Sequence, residues 1–154
     1  ERLDSLFSTP VTSHLLLFTD AAGKEVGMVT LYLEPDALAY YYYAFYDLNH
    51  SVRPLGMFMM TTAAELFAAR GFRHLHLGLC YSQNALYKTQ FAGIEFFTGF
   101  RWSDNLDELK LMLERGQQEI HEHLLESESY RAEFYGGDLA GIANHSGFRV
   151  KLKP

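Results

Sequence analysis

The stretch of sequence richest in groups that could do chemistry is the loop CYSQNALYK, residues 80–88. It follows a strand-like apolar segment, and loops beyond the carboxyl ends of strands are where ligands usually bind in open α/β sheets. There Tyr81 or Tyr87 could act as the late acid for a leaving group, and Lys88 could hold an anion. A solvated loop without a ligand would have the same composition, so the residue types leave both interpretations open.

A second candidate is the turn RPLGMF, residues 53–58, at the head of a long apolar segment. The unpaired amides and the dipole of a helix N-terminus attract phosphate or carboxylate, so Arg53 and Gly56 could mark an anion site. A lone glycine at a helix start is a weak signal. We therefore favour the simpler interpretation, in which Gly56 permits tight packing and Arg53 is an ordinary surface residue.

Cysteine and metal chemistry are disfavoured by the spacing of the residues. Cys80 would need His74 or His76 as its base, but each strand residue adds about 3.3 Å, which carries both rings out of hydrogen-bond range along the strand. A buried, structural Cys80 is the better interpretation. Glu119 and the HEH sequence at 121–123 lack the HExxH pattern and indicate a solvated helix face, so we expect no metal site.

The first half of the chain predicts an antiparallel meander. Residues 14–20 and 25–34 are apolar, partly β-branched runs joined by the turn AAGK, which predicts a hairpin. After a turn at Pro35 and Asp36, the aromatic run ALAYYYYAFYD at 37–47 favours a third strand. Alternation would send half of its tyrosine rings to each face, so packing explains most of the aromatic run.

A helix and a strand are predicted next. Apolar residues recur at helical spacing from Pro54 to Arg70, and Gly71 suits the left-handed residue after a helix. Residues 73–79, RHLHLGL, alternate as a strand does. If that strand lies parallel beside the one before the helix, the connection must be right-handed.

The remaining chain predicts a short helix at 82–91 and one strand over 94–102 interrupted at Gly99. An amphipathic helix over 106–129 follows, with Ser103 or Asp104 as its cap and a break or loosening at Gly116. The glycine-rich residues 135–154 predict a loop that could include one last strand.

Length and composition indicate one folded domain over residues 1–154, since 48% of the residues are hydrophobic and can form a substantial core. The net charge of -6 counts against broad electrostatic binding to nucleic acid or to an anionic membrane, and leaves a local basic patch as an open alternative. No apolar run is long enough to span a bilayer, no signal peptide is expected, and one cysteine fits a cytoplasmic protein. The first residue is not Met, so a piece of a longer protein is also expected as an option.

Three segments in a fixed order carry a resemblance to a known family. They are GKEVGMVTLYLEPDALAYYYYAFYDLN, PLGMFMMTTAAELFAARGFRHLHLG and YKTQFAGIEFF. Their order resembles the GNAT superfamily of N-acyltransferases, and within it the C-terminal domain of arginyl- and leucyl-tRNA-protein transferases. The segments are similar to that family's hairpin with an FYD-like strand end, its SLG-headed helix with a YLG strand, and its YK-x-x-F element followed by Glu. The resemblance covers residues 10–102 and leaves 103–154 as a C-terminal helix and loop extension.

The resemblance implies a mixed α/β fold with a central, mixed, mostly antiparallel twisted sheet that splays at its centre and is flanked by helices. It implies an aminoacyl or acyl donor in the cleft, attacked by an acceptor amine, with no tightly bound cofactor. Aminoacyl-tRNA or acyl-CoA would be the co-substrate. A protein N-terminus or a small amine would be the acceptor, with no membrane and no DNA partner.

The resemblance and the polar loop together assign roles to individual residues. Tyr81, Tyr87 and Asp47 are assigned to catalysis, Arg53, Leu55, Gly56, Asn84, Lys88 and Gln90 to donor binding, and Tyr43, Phe45, Phe91 and Glu95 to the acceptor side of the cleft.

Two alternatives to aminoacyl transfer stay open. One is a non-catalytic GNAT-like binding or interaction module, and the other is an acetyl-CoA-dependent N-acetyltransferase. Phe58 stands where acetyl-CoA-using relatives have a small residue and would crowd a pyrophosphate, which disfavours acetyl-CoA. The acidic charge balance and Phe58 favour the module, whereas the polar cluster from Tyr81 to Lys88 favours an enzyme.

Overall fold

The computed structural model describes residues 2–50, 54–138, 140 and 142. The chain divides into two compact units, Glu1–Gly78 and Leu79–Pro154. The first unit contains a mixed sheet and a long helix, and the second contains a small hairpin and short helices. The fold is therefore a mixed one of helices and strands.

The sheet of the first unit has the strand order β1-β2-β3-β4. Its strands are β1 (His14–Thr19), β2 (Glu25–Glu34), β3 (Leu38–Tyr46) and β4 (His74–His76), preceded by a helix, α1 (Arg2–Ser8). The first three strands pair antiparallel, which confirms the predicted meander. β4 lies parallel to β3, but it pairs only over Leu38–Tyr40, whereas β3 continues to Tyr46.

The predicted helix after the meander is confirmed as α2 (Leu55–Ala69). Its N-cap is Pro54, and Gly71 just beyond its end has a φ of +80°, a left-handed conformation that costs glycine little. Gly27 on β2 lets α2 approach the sheet closely, because a Cβ there would lie 2.6 Å from the Met59 sulfur. The core between helix and sheet is formed by apolar residues that include Val29, Leu31, Ala39, Met59, Ala63 and Phe67.

A β-bulge at Tyr42 makes the expected alternation of tyrosines in β3 wrong. Thr30 pairs with Tyr43 and Leu31 with Tyr41, so Tyr42 is an extra residue in the ladder. The ring of Tyr42 contacts those of Tyr40 and Tyr43, at centroid distances of 5.1 and 4.4 Å. Tyr40, Tyr42 and Tyr43 thus share one face, whereas Tyr41 is buried.

The buried hydroxyl of Thr30 anchors this bulge. Its Oγ1 accepts a hydrogen bond from the Tyr43 amide at 3.1 Å, and Thr30 is completely buried. The side chain thereby satisfies a backbone donor at the place where the ladder is irregular.

In the second unit, the predicted short helix is confirmed as a 3₁₀ helix, Gln83–Gln90. The single interrupted strand predicted over 94–102 is wrong. The segment folds back at Gly99, whose φ is +104°, so that β5 (Phe96–Phe97) pairs antiparallel with β6 (Trp102–Ser103). The Thr98 amide donates to the Arg101 carbonyl at 2.9 Å and closes the turn.

The predicted break at Gly116 is confirmed, but the residues before and after it do not belong to one helix. α3 (Leu106–Arg115) ends there, and a 3₁₀ turn (Leu124–Glu126) and α4 (Glu128–Tyr135) follow separately. The cap of α3 is Asn105, whose side chain accepts from two first-turn amides, and not Ser103 or Asp104. The last strand considered within 135–154 falls mainly on residues outside the described ones.

One buried carboxylate ties the second unit together. Both oxygens of Glu108, on α3, have two donors each, and the residue is completely buried. The donors are Arg101 Nη2 (2.8 Å), Ser103 Oγ (2.6 Å), and the hydroxyls of Tyr130 (2.5 Å) and Tyr135 (2.7 Å). We call these five residues the Glu108 cluster. Because burial and the hydrogen bond to Glu108 both disfavour a phenolate, the pKa of Tyr130 is far above its ordinary value.

None of the helices in the described part of the chain is both long and apolar enough to cross a membrane.

Candidate active site

The described site residues that were predicted in the first unit lie on two elements, the end of β3 with Asp47 after it and the start of α2. Tyr43 and Phe45 lie on the sheet face opposite α2, with stacked rings 6.4 Å apart that are 40% and 36% exposed. Leu55 is buried, so its side chain belongs to the core and only its backbone could meet a donor. Arg53 lies outside the described residues.

Asp47 follows β3 directly and is about one-third exposed, at 32%. Its Oδ1 accepts from the Asn49 amide at 2.9 Å, and its Oδ2 lies 3.5 Å from the ammonium of Lys24. The Asn49 amide, with a smaller contribution from Lys24, holds the pKa of Asp47 below its ordinary value. The carboxylate is therefore ionised at neutral pH and suits binding a cation better than removing a proton.

The start of α2 is packed against Tyr46, a residue that the sequence did not single out. A Cβ on Gly56 would lie 3.0 Å from the Tyr46 ring and hydroxyl, so the glycine permits this contact. The first turn has no capping side chain and no acidic residue. The contact favours the packing interpretation of Gly56, and the anion site stays a prediction.

Phe58 has a partner on the sheet. Its ring meets Phe18 of β1 edge-on at 6.4 Å, and about half of the side chain is exposed.

The predicted site residues of the second unit lie on the loop after Leu79, along the 3₁₀ helix and in the segment between that helix and β5. They are Tyr81, Asn84, Tyr87, Lys88, Gln90, Phe91 and Glu95, of which Phe91 and Lys88 are half-buried and the others are exposed. Tyr81 is 80% exposed. The predicted residues thus lie in both units, and in the first unit the structure does not bring Tyr43 and Phe45 onto the same sheet face as Leu55 and Gly56. The roles of all of them stay predictions.

Lys88 does not extend freely into solvent. Its ammonium donates to the Leu79 carbonyl at 2.9 Å, and burial lowers its pKa. Burial raises the pKa of the Cys80 thiol, and the nearby charge of Lys88 opposes that rise. Cys80 is half-buried, not in a core as expected.

The histidines near Glu119 form a solvated surface, as expected, but they do not lie on a helix. His121 Nε2 is 3.9 Å from Glu119, with both side chains exposed, and His123 Nδ1 instead accepts from the Leu125 amide. Among the described residues, no group of three or more histidines, cysteines or acidic residues is arranged to hold a metal ion.

Two features of the first unit were not predicted from the sequence. One is the contact between Tyr46 and Gly56, and the other is the bulge at Tyr42 with the Thr30 hydroxyl that anchors it. The FYD run contained Tyr46, but its sequence does not reveal which glycine the ring will contact. No local signal marks the bulge, because four consecutive tyrosines fit any register.

No protein-family model matches this chain. No solved structure matches it. The chain is 35% identical over 69 residues to the aspartate/glutamate leucyltransferase of Stenotrophomonas maltophilia (strain R551-3). The match covers 44% of this chain and only 28% of that protein.

Proposed function

We propose that this chain carries the acyl-transfer region of an aminoacyltransferase, which moves a leucyl group from leucyl-tRNA to an amine such as a protein N-terminus. The observation that carries the proposal is the 35% identity to an aspartate/glutamate leucyltransferase. It agrees with the resemblance of residues 10–102 to arginyl- and leucyl-tRNA-protein transferases. The match spans only 28% of that relative, so the substrates that we assign to this protein are proposed as well.

The geometry of β3 supports a GNAT-type sheet. Beyond Tyr40 the β3–β4 ladder stops, and two residues later the bulge at Tyr42 bends β3. We propose that the two strands diverge here, and Asp47 follows directly at the end of β3.

The reaction we propose needs no redox step. The acceptor's neutral amine attacks the ester carbonyl of leucyl-tRNA, a C–N bond forms, and the ester C–O bond breaks. The amine loses a proton, and the ribose hydroxyl of the tRNA leaves with one. Tyr81 or Tyr87 donates a proton to the leaving oxygen. The tyrosine then regains a proton from solvent, into which the amine has released its own.

The ionised Asp47 is assigned to orient a cationic amine. Its low pKa makes it a poor base but keeps its charge at neutral pH. The α-ammonium of the leucyl group is a cation that the proposed reaction brings to the protein, since the acceptor's amine must be neutral when it attacks.

A binding module without catalysis is the second candidate, and one contact favours it. Tyr46 packs on Gly56 at the start of α2, so the small residue there is already explained without a donor phosphate. The same contact counts against acetyl-CoA, whose pyrophosphate would need that helix start.

The test is a transfer assay with the whole chain. Leucyl-tRNA is incubated with peptides that begin with Asp, Glu or Ala, and mass spectrometry detects addition of one leucyl residue. Transfer to the acidic peptides, lost with uncharged tRNA and not supported by acetyl-CoA, is the expected result. Absence of transfer combined with a melting temperature raised by leucyl-tRNA would point to the module, since a ligand that binds the folded state raises it. Acetylation from acetyl-CoA would overturn the proposal.

A further inference from the structure

We propose that Lys88 is a positioning residue, whose ammonium holds the loop carrying Tyr81 against the 3₁₀ helix instead of binding the donor. This inference rests on the aminoacyltransferase function proposed above. It changes the role first assigned to Lys88, and it makes the arrangement of the loop a condition for catalysis by Tyr81.

The hydrogen bond from Lys88 to the Leu79 carbonyl closes the loop at its base. The two residues are nine apart in sequence, and the Nζ to oxygen distance is 2.9 Å. Between them, Ser82 caps the 3₁₀ helix in extended conformation, and its carbonyl accepts from the Ala85 amide. Tyr81 therefore lies between two fixed points, the tied Leu79 carbonyl and the helix cap.

Tyr81 is a part of this loop that a ligand can reach. Four-fifths of the residue is exposed, and its hydroxyl has no hydrogen-bond partner among the described residues. With no contact of its own to hold it, the placement of this hydroxyl depends on the backbone on either side. The bond from Lys88 fixes that backbone, which is how a lysine that touches no substrate would affect a reaction.

The surroundings of Lys88 argue against a primary role as an anion ligand. The side chain is half-buried and already bonded to a carbonyl, so binding a phosphate would require it to exchange that bond. The partial burial and the bond to the carbonyl both suit a structural tie.

Cys80 provides a measurement that needs no catalysis. It is the single cysteine of the chain, it lies between Leu79 and Tyr81, and it is half-buried beside Lys88. Its alkylation by iodoacetamide therefore reports on this loop alone. Because Lys88 also affects the thiol pKa, rates are measured across pH and compared as the limiting rate of the thiolate.

In the alkylation experiment, Lys88→Met is compared with Lys88→Arg, which keeps a cationic donor, and with Lys110→Met, an exposed lysine on α3. We expect Lys88→Met to raise the limiting rate about threefold or more, through local opening of the loop. Lys88→Arg and Lys110→Met should stay near the wild-type rate. An unchanged limiting rate in Lys88→Met, with a folded protein by circular dichroism, would overturn the proposal.

The transfer assay then tests whether Lys88 acts through Tyr81. Lys88→Met should lower kcat about tenfold and leave the KM for leucyl-tRNA within about twofold, and Lys88→Arg should restore most of kcat. In a Tyr81→Phe background, Lys88→Met should have little further effect, because coupled residues are not additive. A raised KM with additive effects would make Lys88 a donor ligand and reject the proposal.

The two experiments separate this inference from the proposed function. If the wild-type chain transfers no leucine, the proposed function fails and with it the catalytic part of the inference. The alkylation rates still decide whether Lys88 holds the loop.

Discussion

Glu108 and Asp47 are two carboxylates in different units of the chain, and their surroundings differ sharply. Glu108 is completely buried and receives four hydrogen bonds from side chains. Asp47 is about one-third exposed and has one backbone amide and one lysine 3.5 Å away. The first has no capacity left for a ligand, whereas the second is charged and reachable. Saturation by partners thus separates a carboxylate that maintains the fold from one that is available for function.

The largest effect is expected from changing Glu108. Glu108→Gln replaces one acceptor oxygen by an amide that faces donors, and leaves Arg101 without its counter-ion, so we expect a loss of about 3 kcal/mol in unfolding free energy. Urea denaturation measures it. Glu114→Gln, the same change at an exposed position of α3, is the matched control. Equal stability of the two variants would contradict a structural role for the Glu108 cluster.

A smaller loss is expected where α2 meets the sheet of the first unit. Gly27→Ala would place a Cβ 2.6 Å from the sulfur of the completely buried Met59, and we expect a cost of about 1–3 kcal/mol from overpacking. Unfolding of Gly27→Ala is compared in the wild-type and Met59→Ala backgrounds. The cost should shrink when the methionine side chain is shortened. The same cost in both backgrounds would show that Met59 is not the cause.

Thr30 tests the bulge that precedes Asp47. Thr30→Val keeps the shape but removes the acceptor of the Tyr43 amide, and we expect a loss of about 1–2 kcal/mol because that part-buried donor loses its partner. Amide hydrogen exchange at Tyr43 should become faster. Thr30→Ser keeps the hydroxyl and should retain slow exchange. Slow exchange in Thr30→Val would mean that the hydroxyl does not anchor the bulge.

Asp47 should give the smallest effect, and it depends on pH. Because the folded-state pKa is below its ordinary value of 3.8, the carboxylate stabilises the fold above that pH. The contribution is lost as the pH falls through the folded pKa. The stability difference between wild type and Asp47→Asn, measured by urea unfolding, should therefore be larger at pH 7 than at pH 3. A difference that does not change between these pH values would contradict the lowered pKa.

The same contrast explains what the sequence could predict. The meander, α2 and the 3₁₀ helix follow from local patterns of apolar residues, turns and glycines, and the structure confirms them. The polar loop with Tyr81 was visible for the same reason, since exposed polar residues after a strand are a local signal. Glu108 was not visible, because within DELKLM it is one more charge on an amphipathic helix.

The parts that sequence reasoning missed depend on distant or register-specific contacts. The tyrosines that saturate Glu108 are 22 and 27 residues away from it. The extra residue at Tyr42 is set by pairing with β2, and the turn at Gly99 by pairing between β5 and β6. Asn105 caps α3 in place of the predicted Ser103, whose hydroxyl donates to Glu108 instead.

Trp102, next to Ser103 in β6, is an intrinsic fluorescence probe of the Glu108 cluster. It is the single tryptophan of the chain, it is 56% exposed, and its carbonyl accepts from Arg101, a member of the cluster. Selective excitation of tryptophan therefore observes only the second unit. Ultraviolet absorbance of tyrosine observes both units, because six of the ten tyrosines lie in the first unit and four in the second. Melting curves recorded at the two wavelengths on one unlabelled sample would show whether the two units unfold as a single cooperative block.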